Sequence, residues 1–116
     1  MKLSNYSVNL KHKISIYVPS TIDVNKTIDN TFFVNRTCKY LSTLFGGCTA
    51  SPASGKWFSD EKGLISENVT ICFAYCTEED FLKSEEDIIS FSKGLCKKMS
   101  QECISVSYDN ELFFIS

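Results

Sequence analysis

Apolar and polar positions alternate between residues 9 and 18. Leu10, Ile14, Ile16 and Val18 share one side with His12, while Lys11, Lys13, Ser15 and Tyr17 take the other. A period of two predicts a half-buried strand. Pro19 ends it, because proline has no N–H to offer a ladder. A long polar loop, 19–29, follows, and loops of that length often carry function. The spacing then turns helical. Phe33, Val34, Thr37, Cys38, Leu41, Leu44 and Phe45 form one stripe,. Asp29 or Asn30 is placed to cap its start, and Gly46-Gly47 to stop it in the left-handed conformation that glycine adopts freely.

Residues 48–58 read as an irregular strand, with Pro52 and Gly55 predicting an edge or bulged position,. A turn over 59–63 leads into 65–76, the strongest strand signal in the chain. Thr77 opens a second helix with Asp80 at its third position, a variant of the capping box. Phe81, Leu82, Ile88, Ile89, Leu95, Cys96 and Met99 are expected on its inner side, to about residue 101, with a break possible near Ser84,. Residues 103–108 and 112–115 form a terminal hairpin about Asp109-Asn110. The order is β-α-β-β-α-β with one extra C-terminal strand. The fold class is therefore α+β, ferredoxin-like: a single domain over 1–116, with an antiparallel sheet carrying both helices on one face.

The helix-free side of that sheet is the awkward one. Along 65–76, Val69, Ile71, Phe73 and Tyr75 fall on one face and Thr70, Cys72, Ala74 and Cys76 on the other. Leu112 and Phe114 oppose Phe113 and Ile115 in the last strand. A one-sided antiparallel sheet shows a cleaner contrast. An apolar flank of this size calls for a cover, and a second copy packed sheet to sheet is the simplest one.

Composition narrows the function classes. Of 12 basic residues, only Arg36 is an arginine, and the formal net charge is -2. Both disfavour nucleic acid, whose phosphates and guanines favour arginine's bidentate fork. Residues 1–59 carry seven bases against two acids, and 60–116 five against twelve. No apolar run is long enough for a membrane span, and no leader is visible, so a cytoplasmic location is expected. The six cysteines form no CxxC pair, and they read as free, buried, small apolar residues rather than disulfides or a metal site. Cys72 and Cys76 share a strand face too far apart to bond. Four N-x-[ST] matches, at Asn5, Asn25, Asn35 and Asn68, read as accidental,.

No catalytic motif emerges. His12 is the only histidine and is flanked by Lys11 and Lys13. Gly55-Lys56 resembles the end of a phosphate loop, but Ala50 and Trp57 stand where the signature needs Gly and Ser or Thr. The acids Glu78, Glu79, Asp80, Glu85, Glu86 and Asp87 suit a helix N-terminus. The best pocket candidate joins Tyr17, Ser20 and Thr21, at the end of the first strand, to Lys56 and Trp57. Hydroxyls, an ammonium and an indole suit a small anionic or planar ligand. No cofactor is expected.

Four segments together carry a resemblance: Tyr17-Val18-Pro19-Ser20-Thr21, Leu44-Phe45-Gly46-Gly47, Gly55-Lys56-Trp57 and Val69-Thr70-Ile71. They resemble an uncharacterised family of small bacterial proteins from low-GC bacteria and mobile elements. The likeness covers most of the chain and transfers no established activity. It implies an intracellular accessory protein, with phage or plasmid origin in view. The fold pattern is also similar to the dimeric α+β barrel superfamily, which mixes cofactor-free enzymes, haem enzymes and ligand-binding regulators. The expectation is a non-enzymatic binding protein. It would be a homodimer through the sheet face that sequesters a small ligand or inhibits a host partner protein, in the manner of a phage- or plasmid-encoded counter-defence factor. The alternative is a small cofactor-independent enzyme of dimeric α+β barrel type, with its pocket near Tyr17, Ser20, Lys56 and Trp57.

Overall fold

The computed structural model describes residues 1–6, 8–23 and 25–116. Ser7, which completes the first N-x-S match, and Val24, within the polar loop, lie outside the described residues. After a short 3-10 turn at Lys2–Asn5, the chain runs β1 (His12–Pro19), β2 (Thr21–Ile22), β3 (Lys26–Thr27), α1 (Thr31–Phe45), β4 (Thr49–Ser59), β5 (Gly63–Cys76), α2 (Glu78–Lys98), β6 (Ile104–Tyr108) and β7 (Glu111–Ile115). The five long strands form one antiparallel sheet in the order β4-β5-β1-β6-β7. This is the expected α+β arrangement, with the extra strand at one edge. The loop expected over 19–29 contains a small ladder of its own, in which Thr21 pairs with Thr27 and Ile22 with Lys26.

Alternation decides which residues enter the core. Ile14, Ile16 and Val18 of β1 are buried with Cys72, Ala74 and Cys76 of β5 and Ile104 and Val106 of β6. The helices cover this face. Thr37 and Leu41 of α1 are buried, as are Phe81, Ile88, Ser92, Leu95 and Cys96 of α2 and the adjoining Met99. Leu82 and Ile89, expected on the inner side of α2, instead face outward. Each lies one position beyond a buried residue, and the stripe that touches the sheet is narrower than the apolar content suggests. The helix runs unbroken past Ser84 and ends at Lys98.

The helix ends follow local chemistry. Thr77 Oγ1 accepts from Asp80 N at 3.1 Å, satisfying an otherwise unpaired N–H in the first turn,. Gly46 closes α1 at φ 89°,. Asn30 holds the N-cap position of α1 without a side-chain capping bond. Its amide reaches back instead to the carbonyl of Pro19 at 3.2 Å and to Thr70 Oγ1 at 3.2 Å, tying the helix start to the end of β1 and the middle of β5.

The edge strand β4 corrects the expectation of irregularity. It pairs with β5 in one unbroken register from Thr49↔Phe73 to Ser59↔Gly63, without a bulge. Pro52 costs nothing there because an edge strand has one side free of ladder bonds. The pairing of β1 with β5 stops at Pro19↔Val69. The distal part of the β4–β5 hairpin therefore extends beyond the main sheet as a two-stranded arm. The molecule measures 52 × 29 × 22 Å. No helix is long and apolar enough to cross a membrane among the described residues.

Candidate functional site

The helix-free face is not uniform. Its central strands present Ser15, Ser105 and Ser107, whereas β5 presents Val69, Ile71, Phe73 and Tyr75, and β7 presents Leu112 and Phe114. Phe113 and Ile115, expected to burden this flank, pair with Val106 and Ile104 and so lie on the helix side. The strand period requires this, since Val106 and Ile104 are core residues.

At the end of the face nearest the arm lies a cavity of about 480 Å³. Tyr17 of β1, Thr21 of β2, Trp57 of β4, Glu67 of β5, Glu102 before β6 and Phe114 of β7 contribute to its walls. Trp57 Nε1 donates to Glu67 Oε1 at 3.3 Å. Gly55 stands directly opposite Glu67 in the ladder, two residues from Trp57 on the same face. Trp57 remains 51% exposed and Phe114 67%, so two large rings border the cavity with faces open to a ligand or a second surface.

Of the residues singled out from sequence, the cavity brings together Tyr17, Thr21 and Trp57. Ser20 and Lys56 lie off it. Lys56 follows Gly55 on the opposite face of β4 from Trp57, and its ammonium donates to Ser66 Oγ at 2.9 Å. Adjacent strand residues cannot share a face. Ser20 N donates to Asn68 O at 3.1 Å, and its hydroxyl accepts from the Asn30 amide at 3.4 Å. With Lys56 removed and Glu67 and Glu102 added, the wall is acidic, which suits a cationic planar molecule better than an anionic one.

Glu67 was missed from sequence, although alternation through Val69, Ile71 and Phe73 places it on the same face. Glu102 and Phe114 gave no local signal, because only the sheet order brings them beside β1. His12 lies apart from the cavity. Its ring stacks on Tyr108 with centroids 5.4 Å apart, and its Nδ1 lies 2.7 Å from Asp109 Oδ2. Asp109 also accepts from Lys13 N at 3.0 Å. The bonds from His12 and Lys13 hold the Asp109 carboxyl below its usual value,. Among the described residues no group of His, Cys, Asp and Glu is arranged to hold a metal ion.

No family model matches the chain, and no curated protein sequence matches it. Two solved structures share its fold along nearly the whole length. A phage SAM lyase in complex with S-methyl-5'-thioadenosine superposes with a TM-score of 0.64 at 15% identity, over 96% of this chain and 95% of that one. A phage SAM lyase in its apo state gives 0.65 at 14% identity, with the same coverage. The likeness carries the fold. It also corrects the expectation of a non-enzymatic sequestering or inhibitory protein, since the fold's neighbours are enzymes, and it favours the small-enzyme alternative.

Proposed function

We propose that this chain is a small enzyme of lyase type acting on S-adenosylmethionine or a close adenosyl sulfonium. The observation that carries the reading is the cavity. Carboxylates from Glu67 and Glu102 and rings from Tyr17, Trp57 and Phe114 meet in one hollow, on a fold whose neighbours are phage SAM lyases. The substrate is planar at its adenine and cationic at sulfur and at its ammonium group. Aromatic faces accept both features, and carboxylates in a partly enclosed site attract the charges. The carboxylate of the substrate's own amino-acid arm can attack the carbon bonded to sulfur: a C–O bond forms and closes a lactone, the C–S bond breaks, and its electron pair returns to sulfur, leaving the neutral thioether S-methyl-5'-thioadenosine. Rings and carboxylates that hold the adenosyl and ammonium ends fix the arm in the geometry of that displacement. Trp57 positions Glu67 through its indole N–H.

Assembly belongs to the same reading. An isolated two-stranded hairpin is marginal in water, and this arm exposes Phe58 and Leu64 as well as Trp57. A second copy laid against the helix-free face, a homodimer in its simplest form, would cover Trp57 and close the cavity, while Phe58 and Leu64 project from the arm's other face,. Origin on a phage or other mobile element is in keeping with the phage neighbours. The test is to incubate the purified protein with S-adenosylmethionine and follow adenine-containing products by chromatography and mass spectrometry. The reading expects S-methyl-5'-thioadenosine to accumulate without any methyl acceptor. Unchanged substrate at stoichiometric protein overturns it.

A further inference from the structure

Three cysteines from separate elements converge beneath the turn that joins α1 to β4. Cys38 comes from α1, Cys48 from the turn, and Cys72 from β5. Cys48 Sγ lies 3.1 Å from Cys38 Sγ. Cys72, fully buried on the inner side, donates to the carbonyl of Val34 in α1 at 4.0 Å. Sequence spacing gave no hint of this group, because ten residues and a helix stop separate Cys38 from Cys48. The turn made by Gly46 and Gly47 folds the chain back so that the two sulfurs meet.

We propose that Cys38 and Cys48 form an oxidative modification site: a dithiol that small disulfides convert to an intramolecular cross-link between α1 and the edge strand. Three features support this. First, the sulfurs need approach by only about 1 Å to reach bonding distance. Second, Cys48 lines a shallow hollow of about 300 Å³ with Phe45, Gly46 and Gly47, and space is open where a side chain on Gly47 would project. A small reagent therefore reaches Cys48 but not the buried Cys72. Third, the linked residues bracket a turn, so the bond adds a covalent staple to an existing close approach.

The chemistry balances with a low-molecular-weight disulfide as oxidant. The Cys48 thiolate attacks one sulfur of the reagent, forming a mixed disulfide and expelling one small thiolate. The Cys38 thiol gives its proton to solvent and attacks the Cys48 sulfur, expelling the second. The protein pair loses two electrons and two protons, and the reagent becomes two thiols. Burial, with the neighbouring Cys38, pushes the Cys48 thiol up to about 12. The exchange is correspondingly slow at neutral pH, as befits a site that responds to sustained oxidation rather than a catalytic thiol.

The test treats the reduced, folded protein with excess oxidised glutathione at mildly alkaline pH, then alkylates it in denaturant. The proposal expects two of the six thiols to escape alkylation, the intact mass to fall by two hydrogens, and peptide mapping to join Cys38 to Cys48. Oxidised protein should melt roughly 10 °C above reduced protein. Cys48→Ser should prevent the cross-link and Cys72→Ala should leave it. Six alkylated thiols, a bond at any other pair, or a persistent glutathione adduct on Cys48 overturns the proposal. The mapping on unmutated protein decides even if a variant fails to fold.

Discussion

The two faces of the sheet are built from the same strands and do different work. On the helix side, Ile14, Ile16, Val18, Ile104 and Val106 vanish under α1 and α2. One residue along each strand, the opposite face offers serines at its centre, aromatic rings at its edges, and a cavity with two carboxylates. The helix side resembles a sealed interior, where shape and volume decide. The open side keeps exposed rings and charges that the fold itself does not need. Residues of the core and residues of the cavity wall are therefore separated by a single step in the strand period.

One substitution on each face sharpens that contrast. Ile16 is fully buried, and Ile16→Ala should cost about 3–4 kcal/mol in urea-induced unfolding, most of a small domain's margin. Glu67→Gln, on the open face, should leave the unfolding midpoint nearly unchanged. On the proposed reading it should lower turnover of S-adenosylmethionine about 100-fold, because the lost negative charge would hold the cationic substrate in position and does not face the core. A large stability loss in Glu67→Gln would erase the division between the faces.

The smallest effect concerns acid. His12 and Lys13 hold the Asp109 carboxyl below its ordinary value of 3.8. A group whose folded value is depressed stabilises the fold above its unfolded value, and that contribution disappears as pH falls through the folded one. Asp109→Asn should therefore lower stability slightly above about pH 4 and leave it unchanged at lower pH, so that the acid limb flattens. Thermal melts across that range check it. An unchanged acid limb would remove the His12–Asp109 contact from the account.

Much of the helix-side architecture was legible in the chain because it rests on local periodicity. The alternation at Ile14, Ile16 and Val18, the stripe through Thr37 and Leu41, the Thr77 cap and the Gly46 stop are each decided within a few residues. The site was only half legible. Tyr17, Thr21 and Trp57 were singled out for their chemistry, and the fold gathers them. Lys56 was joined to Trp57 by adjacency, although adjacency in a strand separates side chains. Glu102 and Phe114 reach Tyr17 only through the strand order. His12 and Asp109 are 97 positions apart, and Cys38 meets Cys48 across a turn. Such contacts are set by tertiary closure, which periodicity does not encode. Pro52 and Gly55 pointed correctly to an edge strand, but the irregularity expected with them is absent, since an edge position tolerates what a central strand would not.

Trp57 is the only tryptophan in the chain and stands in the cavity wall, so at fixed protein concentration its fluorescence reports on that wall. Titrating the protein with S-methyl-5'-thioadenosine, with calorimetry alongside, is the most direct test of the claim that the open face is an adenosyl-sulfur site. The account predicts a saturable change in Trp57 emission that parallels the heat of binding and is weakened in Glu67→Gln. Saturable heat with unaltered emission, or no binding at all, would contradict it.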